Sequence, residues 1–315
     1  KLLDNPELKT YELCSTIKGP DFPTGGQLIT SEEQLRQIYK TGSGVLKLRA
    51  THVAGPATRS TKTIFITSMP YTVNKSQLVE RIAEIVLSRK MPLLVNVKDL
   101  STDDVQIELE LKKNADVKKV LAYLYKHTSL QINYNINLTC LIPTENPQVG
   151  RPQRCDLREM LQHFLMFRLD VVTRRLEHEL GHLKNRIHIL EGLVAVFDAL
   201  DQIVKIIRAS NGKQDAAAKM IKSYRLDEDQ AEAILELKLY RLAKLEILVI
   251  RDELKKKRKR AKVIQQLLFE SEATGRWGIV RDEIQEVFKK YGKTNTRHTH
   301  IEVVIDEPEF TADDF

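Results

Sequence analysis

The feature that most limits how this chain can fold is a seam of apolar residues in the second half of the sequence. Between residues 169 and 197, apolar side chains recur at steps of three and four, which is the spacing of a helix face that packs along another helix. The seam covers about 30 residues, or roughly 45 Å of helix. Its members are Leu169, Val172, Leu176, Leu180, Leu183, Ile187, Leu190, Val194 and Phe197.

A second seam with the same spacing follows closer to the end of the chain. It consists of Ile247, Ile250, Leu254, Ala261, Ile264 and Leu268, with Lys257 as a polar residue within it. The sequence between the two seams, 198–245, has the pattern of a compact group of shorter helices. Two long helices joined through such a group predict a long antiparallel coiled-coil arm with a small helical head at its tip.

The first seam overlaps a match to the H-E-x-x-H signature of zinc proteases. His178, Glu179 and His182 form the match, and His188 stands where the longer signature places a third ligand. On one continuous helix His188 lies about 15 Å beyond His178 and points elsewhere, so the three imidazoles cannot bind one zinc ion. Because the seam continues through Asn185, we expect an unbroken helix, no metal site and no protease activity. The histidines are then solvated bystanders.

The first half of the chain mixes strand and helix patterns. The predicted strands are 44–53, 62–70, 105–111 and a segment near 130–142. The predicted helices are 31–40, with Ser31 as its N-cap, 73–90 and 115–127. A mixed α/β domain that precedes a helical arm makes the predicted fold class α+β.

Composition narrows the function without fixing it. The 315 residues carry a formal net charge of +7 and a pI near 9.1, which weakly favours a polyanionic partner such as nucleic acid. Aromatic residues make up only 6%, which argues against base-stacking platforms for single strands. Cys14, Cys140 and Cys155 lie far apart, as suits a reducing compartment, and no apolar run of about 18 residues predicts a membrane span.

Six segments of the sequence, taken together, indicate a relationship to a known protein family. They are GPDFPTGG (19–26), YKTGSGVLKLRA (39–50), MPYTVNKSQLVERIAEIV (69–86), DLREMLQHFLMFRLDVVTRR (156–175), RIHILEGL (186–193) and LDEDQAEAILELKLYRLAKLE (226–246). In this order they resemble the A-type subunit of bacterial type IIA DNA topoisomerases, the family that contains the A-type subunits of gyrase and topoisomerase IV. In that family a histidine at the position of His188 lies inside a continuous helix, which leaves HELGH as a chance match.

The resemblance implies a division of the chain, and it implies that the chain is a fragment. The expected parts are 1–30 as a linker from an absent winged-helix domain, 31–155 as an α/β tower-like domain, 156–200 as the first coiled-coil helix, 201–245 as the helical gate (dimerisation) head, 246–272 as the return helix and 273–315 as a return to the body.

The resemblance also implies a function for the whole protein. It would be an ATP-dependent type IIA topoisomerase that passes one DNA duplex through another, and this chain would support the cut duplex and supply the exit gate. The implied partners are double-stranded DNA, a second copy of the chain, and a B-type subunit that binds Mg²⁺ and ATP. No cofactor is then expected in this chain, and the implied location is cytoplasmic, with the bacterial nucleoid.

The chain departs from the family pattern at the catalytic step. The family's nucleophile is a tyrosine that directly follows an arginine in the winged-helix domain, and no Arg-Tyr pair occurs here. We therefore expect no catalytic residue in this chain and no DNA cleavage by it alone. Ser43 stands where the family often has arginine, and Ala243-Lys244 stands where Thr-Gly is usual.

The gate segment supplies the candidate dimer contacts. It is too apolar for an isolated short helix to bury, so we expect a symmetric partner surface to cover it. The candidates are Leu226, Gln230, Ile234, Leu235, Leu237, Leu239 and Leu242. The alternative is that they pack only within the head.

Lys47, Arg49 and Lys75 are the candidate DNA contacts. Lys47 and Arg49 lie two apart on a predicted strand and share a face. Lys75 follows Asn74, the expected cap of a helix, in a first turn where the helix dipole disfavours a cation, and a phosphate would compensate. The alternative for all three is an ordinary solvated surface.

The segment RDELKKKRKRAK (251–262) holds eight basic residues and two acidic ones. It is either a solvated helix surface or the border of a cavity for the transported duplex. A second class of function also stays open, a non-enzymatic coiled-coil scaffold that binds nucleic acid or protein.

Overall fold

A computed structural model of the chain describes residues 1–146, 149–197, 199–236, 244–269 and 275–302. The helices are α1 (Thr10–Cys14), α2 (Glu32–Thr41), α3 (Lys75–Leu87), α4 (Val117–His127), α5 (Leu157–Phe197), α6 (Leu200–Arg208), α7 (Lys213–Tyr224), α8 (Glu228–Leu235), α9 (Lys244–Phe269) and α10 (Arg276–Tyr291). The strands are β1 (Gln27–Leu28), β2 (Ser43–Arg49), β3 (His52–Ala57), β4 (Thr61–Ile66), β5 (Leu94–Asp99), β6 (Ile107–Lys112), β7 (Gln131–Asn137), β8 (Thr139–Pro143), β9 (Gly150–Arg154) and β10 (His300–Ile301). The predicted α+β class is confirmed.

The chain divides into two compact units. Among the described residues, the first contains Lys1–Phe164 together with Val287–Glu302, and the second lies within Leu165–Glu286. Both divisions fall inside helices, α5 and α10, and not at their ends. The finer domain bounds drawn from the sequence stay predictions.

The described residues of the first unit form two four-stranded sheets and a two-stranded ribbon. One sheet has the order β10-β1-β2-β7, the other has the order β3-β4-β6-β5, and the ribbon pairs β8 with β9. The second sheet packs its apolar face against α3 and α4. This core includes Ile64, Ile66, Leu78, Ile82, Ile85, Ile107, Leu109, Leu111, Val120, Leu121 and Leu124.

The helices predicted in this unit form for two reasons: one face of each helix is apolar, and the ends of the helices are capped. Ser31 accepts a hydrogen bond from the backbone N–H of Gln34 at 3.3 Å, and Asn74 accepts one from Gln77 at 3.2 Å. The first of these two helices ends at Gly42, in a left-handed conformation with φ 70°. A Cβ at that glycine would lie 2.3 Å from the carbonyl oxygen of Cys155, so both the turn and the close approach need glycine.

Two predicted strands are each divided in the structure. The strand predicted at 44–53 ends at Arg49, and the chain resumes as β3 in the other sheet. At the crossing, the backbone N–H of Ala50 donates to the carbonyl of Leu130 at 2.8 Å. The strand predicted near 130–142 divides at Leu138, whose N–H donates to the carbonyl of Gly42 at 2.8 Å. Strands β1, β5, β9 and β10 were not predicted, and β9 lies near the end of the segment 31–155 that we expected to form the tower-like domain.

The two ends of the first unit meet in one sheet. β10 pairs in parallel with β1, with Gln27 opposite His300 and Leu28 opposite Ile301. The hydroxyl of the buried Thr299 accepts a hydrogen bond from the backbone N–H of Phe22 at 2.7 Å. The Arg297 guanidinium donates to the carbonyl of Gly19 at 2.9 Å. These contacts fasten residues 19–28 to residues 297–301.

The second unit is built on α5, which is continuous for 41 residues. α9 packs along it in the opposite direction, because Glu179 pairs with Arg260, whereas Arg186, seven residues later, pairs with Glu253, seven residues earlier. The predicted seam positions of both helices lie in two shared clusters. The cluster closer to the start of α5 also contains Val280 of α10. Both predicted long helices are confirmed.

Helices α6, α7 and α8 form the predicted helical group between the two long helices. Ile203, Met220, Leu226 and Ile234 from these helices and their connections belong to the same cluster as Leu190 and Ile250 of the long helices. We call this group, residues 200–235, the head. It is packed on the ends of α5 and α9 that adjoin it.

Lys257 is half-buried between the apolar seam residues Leu254 and Ala261. Lys257→Leu is expected to raise the melting temperature by a few degrees, because it adds about 1 to 2 kcal/mol of apolar burial. Lys259→Leu on the exposed face of the same helix is the control, and scanning calorimetry is the measurement. Equal melting temperatures for the two variants would contradict this.

No helix in the described part of the chain combines the length and the apolar character needed to cross a lipid bilayer.

Candidate nucleic-acid interface

Lys47 and Arg49 lie on the polar face of β2. The alternate residues Leu46 and Leu48 are at most 1% exposed and anchor the strand in the core, so the two cations project from a rigid element. Lys47 is exposed, and Arg49 is half-buried. The predicted shared face is therefore present.

Arg49 is held in place by its neighbours. Its Nε and Nη2 atoms donate to Oε1 of Gln131 at 2.9 and 2.6 Å, and its guanidinium lies 4.2 Å from the ring centroid of Tyr125. A cation fixed in this way loses little side-chain freedom when an anion binds it.

A row of amide side chains beside these cations was missed from the sequence. In the β2–β7 pairing, Gln131 lies opposite Arg49, Asn133 opposite Lys47 and Asn135 opposite Val45. Asn133 and Asn135 are exposed. The signal was available, because QINYNIN at 131–137 alternates amides with core residues. Amides donate hydrogen bonds to phosphates and to the base acceptors of the DNA minor groove.

Lys75 lies on a different element and is paired. Its Nζ is 2.8 Å from a carboxylate oxygen of Asp99, and both side chains are about one-third exposed. Hydrogen bonds from Lys75 and from Ser101 lower the pKa of Asp99 to about 2. The compensation that we assigned to a DNA phosphate is therefore supplied by Asp99. Lys75 as a DNA contact stays a prediction, without its original argument.

The seven residues predicted for the dimer interface fall into three groups. Leu226, Gln230 and Ile234 are 6 to 9% exposed and are covered within the chain itself. Leu235 is half-buried. Leu237, Leu239 and Leu242 lie outside the described residues. The second unit also exposes apolar side chains on α6 and α9, namely Ile207 at 40%, Leu248 at 61% and Val249 at 59%.

Gln230 joins the head to α5. Its Nε2 donates to the carbonyl of His188 at 2.9 Å, and its side chain lies over Gly192, where a Cβ would be 2.8 Å from Cγ of Gln230. The imidazole of His188 contacts the carboxylate of Asp227, the N-cap of α8. The backbone N–H of Gln230, which donates to Asp227, lowers the pKa of that carboxyl. The head therefore packs on α5 at RIHILEGL (186–193), one of the six segments on which the resemblance to the topoisomerase family rests.

The three histidines of the zinc-protease match do not converge. The predicted unbroken helix is confirmed through Asn185, and His188 is directed at Asp227. Glu179, which would be the general base of a protease, is turned away to another partner. It accepts two hydrogen bonds from Arg260 at 2.7 and 2.8 Å. Among the described residues, no group of three potential metal ligands is found.

The basic run of α9 is partly neutralised by carboxylates. Arg260 pairs with Glu179 at 2.7 Å and Arg258 with Glu191 at 2.6 Å, both across to α5. Lys256 pairs with Asp252 at 2.7 Å within α9. Two of the eight basic residues of the run, Arg258 and Arg260, therefore link α9 to α5, which fits its interpretation as a helix surface.

Comparison with known proteins matches nearly the whole chain. A family model that describes the A subunit of DNA gyrase/topoisomerase IV matches residues 1–302. The DNA gyrase A subunit of Clostridium acetobutylicum is 38% identical over 302 residues, which cover 96% of this chain and 35% of that protein. The DNA topoisomerase 4 A subunit of Staphylococcus epidermidis is 36% identical over 293 residues, which cover 92% of this chain and 35% of that protein. The chain thus spans about a third of the length of these curated relatives.

Proposed function

The chain belongs to the family of DNA gyrase/topoisomerase IV A subunits, and from this premise we propose that it is the part of a type IIA topoisomerase that supports the cut duplex and forms the exit gate. The unit that contains the two sheets would be the tower-like domain. α5 and α9 would form the coiled-coil arm, and the head would be the gate. The family match favours this function over a non-enzymatic scaffold.

The observation that carries the DNA part of the proposal is the face shared by β2 and β7. It presents Lys47, the fixed guanidinium of Arg49 and the amides of Asn133 and Asn135 on one rigid sheet. Cations and amides without aromatic platforms suit contacts with the backbone of a duplex. Such contacts position a duplex and read little of its sequence.

The gate part of the proposal rests on the apolar residues that the chain leaves exposed. Leu248 and Val249 are more than half exposed on α9, directly beside the buried Ile247. We propose that a second copy covers them together with Leu235, Leu237, Leu239 and Leu242. Leu226, Gln230 and Ile234 would then support this surface from within the head.

Other parts of the reaction belong to other segments and subunits in this proposal. The chain contains no Arg-Tyr pair, so it would not cleave DNA by itself. A B-type partner subunit would bind Mg²⁺ and hydrolyse ATP. Cleavage of a plasmid by the purified 315-residue chain alone would contradict this assignment.

Duplex binding tests the proposed interface. Lys47→Gln is expected to weaken binding of a duplex of about 30 base pairs and to reduce the slope of log K against log salt by about 1, as expected for one lost phosphate contact. Fluorescence anisotropy at several salt concentrations is the measurement. Asn133→Ala should weaken binding without changing the slope, because an amide releases no counterion.

Arg81→Gln is the matched control. Arg81 is exposed on α3, where it pairs with Glu84 at 2.8 Å, and its loss changes the net charge by the same amount. An unchanged salt slope for Lys47→Gln, or an equal change for Arg81→Gln, would overturn the proposed interface. Lys75→Gln in the same series decides the remaining prediction for Lys75.

A further inference from the structure

We propose that His178 and His182 form a two-ligand site for a divalent metal ion of the class that prefers imidazole, namely Zn²⁺, Ni²⁺ or Cu²⁺. The site lies on the exposed face of α5. This inference is independent of the proposed function. It revises the expectation from the sequence that the two histidines are solvated bystanders, and it differs from the three-ligand protease site that the continuous helix excludes.

The two imidazoles already converge. They are four residues apart on one helix and therefore share a face. Their Nε2 atoms are 3.2 Å apart, whereas their ring centroids are 4.5 Å apart with an interplanar angle of 78°. The nitrogen-bearing edges are thus closer to each other than the ring centres, and both rings are open to solvent.

The nitrogen separation fits chelation of one ion. Two nitrogens that each lie about 2.05 Å from a tetrahedral zinc ion are about 3.4 Å apart. The observed 3.2 Å is close to this value, so binding needs only a small rotation of the rings. Without metal, one Nε2–H can donate to the other Nε2. A bound ion would take the lone pairs of both Nε2 atoms, so the donating ring would move its proton from Nε2 to Nδ1 through exchange with solvent, and both imidazoles would stay neutral.

The surroundings leave room for an ion and reduce the repulsion that it would meet. Gly181 lies between the two histidines in sequence, and a Cβ built there meets no atom of the described chain within 4 Å. The arginines one turn before His178 are held by carboxylates, Arg174 by Asp170 and Arg175 by Glu283. Their charge is therefore partly neutralised.

The chemistry of the site follows from its ligand count. Since the described residues offer no group of three ligands, water would fill the remaining positions, and the ion would exchange with solvent. The carboxylate of Glu179 is engaged by Arg260, so this residue would not serve as a general base for a bound water. The site would therefore bind and cross-link one turn of α5, and it would not hydrolyse peptides.

Calorimetric titration of the tag-free chain with NiCl₂ tests the proposal. The chain is expected to bind one equivalent of Ni²⁺ at this site, and His178→Gln or His182→Gln should each weaken binding by about tenfold or more, because one of two ligands is lost. The double variant should lose little beyond either single variant, since one imidazole alone cannot chelate. This non-additive pattern is the signature of a shared ion.

His163→Gln is the matched control, because His163 is a single exposed histidine on the same helix. Far-ultraviolet circular dichroism of each variant checks that the helix persists, as expected for exposed positions. The proposal would be overturned if the double variant bound Ni²⁺ with the same affinity as the unchanged chain, or if the losses of affinity in the two single variants were strictly additive. It would also be overturned if His163→Gln lost as much affinity as His178→Gln or His182→Gln.

Discussion

Gly192→Leu is expected to destabilise the unit that contains residues 165–286 by about 3 kcal/mol, because a side chain has no room between α5 and α8. A Cβ at position 192 would lie 2.8 to 3.0 Å from three carbon atoms of the Gln230 side chain. Gln230 cannot move aside freely. It is 9% exposed, and its Nε2 donates to the carbonyl of His188, so displacement leaves polar groups unpaired in the core.

Gly181→Leu on the same helix is the control with the opposite sign. A Cβ at Gly181 meets nothing within 4 Å in the described chain, so leucine there should stabilise the helix by about 0.5 to 1 kcal/mol through its higher helix propensity. Scanning calorimetry gives the melting temperatures, and amide hydrogen exchange in α8 reports whether the head has separated from α5. Similar effects of the two substitutions would mean that α8 does not dock on Gly192.

Leu237→Asp combined with Leu239→Asp is expected to convert a dimer into a monomer. An interface that must bury four carboxylates without partners, two from each copy, is destabilised by several kcal/mol, which exceeds what a small gate contact can tolerate. Sedimentation velocity at micromolar concentration measures the change. Both positions lie outside the described residues, and they are chosen because Leu226, Gln230 and Ile234 are covered within the chain itself.

The burial of Ile234 decides the design of that experiment. From the sequence alone, Ile234→Asp with Leu237→Asp is the natural pair. Ile234 is 8% exposed, however, and packs with Leu190 and Ile250, so an aspartate there would unfold the head. Loss of the dimer interface could then not be separated from loss of the fold. Leu87→Asp, which removes an 83% exposed leucine from α3, is the control and should leave the oligomer unchanged. A dimer that survives the double substitution would contradict the gate assignment.

The helices were predictable because their signals are local. Caps such as Ser31 and Asn74 sit three residues before the backbone groups that they satisfy, and the seams repeat within each helix. The continuity of α5 through HELGH followed from the same periodicity. A pattern that is complete within one element needs no knowledge of its partner.

The divided strands and the partners of polar side chains depend on distant residues. The sequence around Ala50 does not indicate that the chain passes from one sheet to the other there, because the carbonyl that accepts the hydrogen bond of Ala50 belongs to Leu130. Lys75 forms an ion pair with Asp99, which lies 24 positions away in the sequence, and Gln230 donates a hydrogen bond to His188, which lies 42 positions away. At the candidate interface, the cations of β2 were found from alternation, whereas their amide neighbours on β7 required the strand pairing.

The pairing of β10 with β1 sets an order of events during synthesis of the chain. The sheet that carries Lys47 and Arg49 gains its edge strand from residues 300 and 301, which leave the ribosome after all of α2 to α10. The segment at 19–28 therefore cannot form its hydrogen bonds with Arg297 and Thr299 until translation has passed those positions. The 165–286 unit has its own core and can fold during that interval. Although its sequence begins first, the sheet unit is the last to be completed.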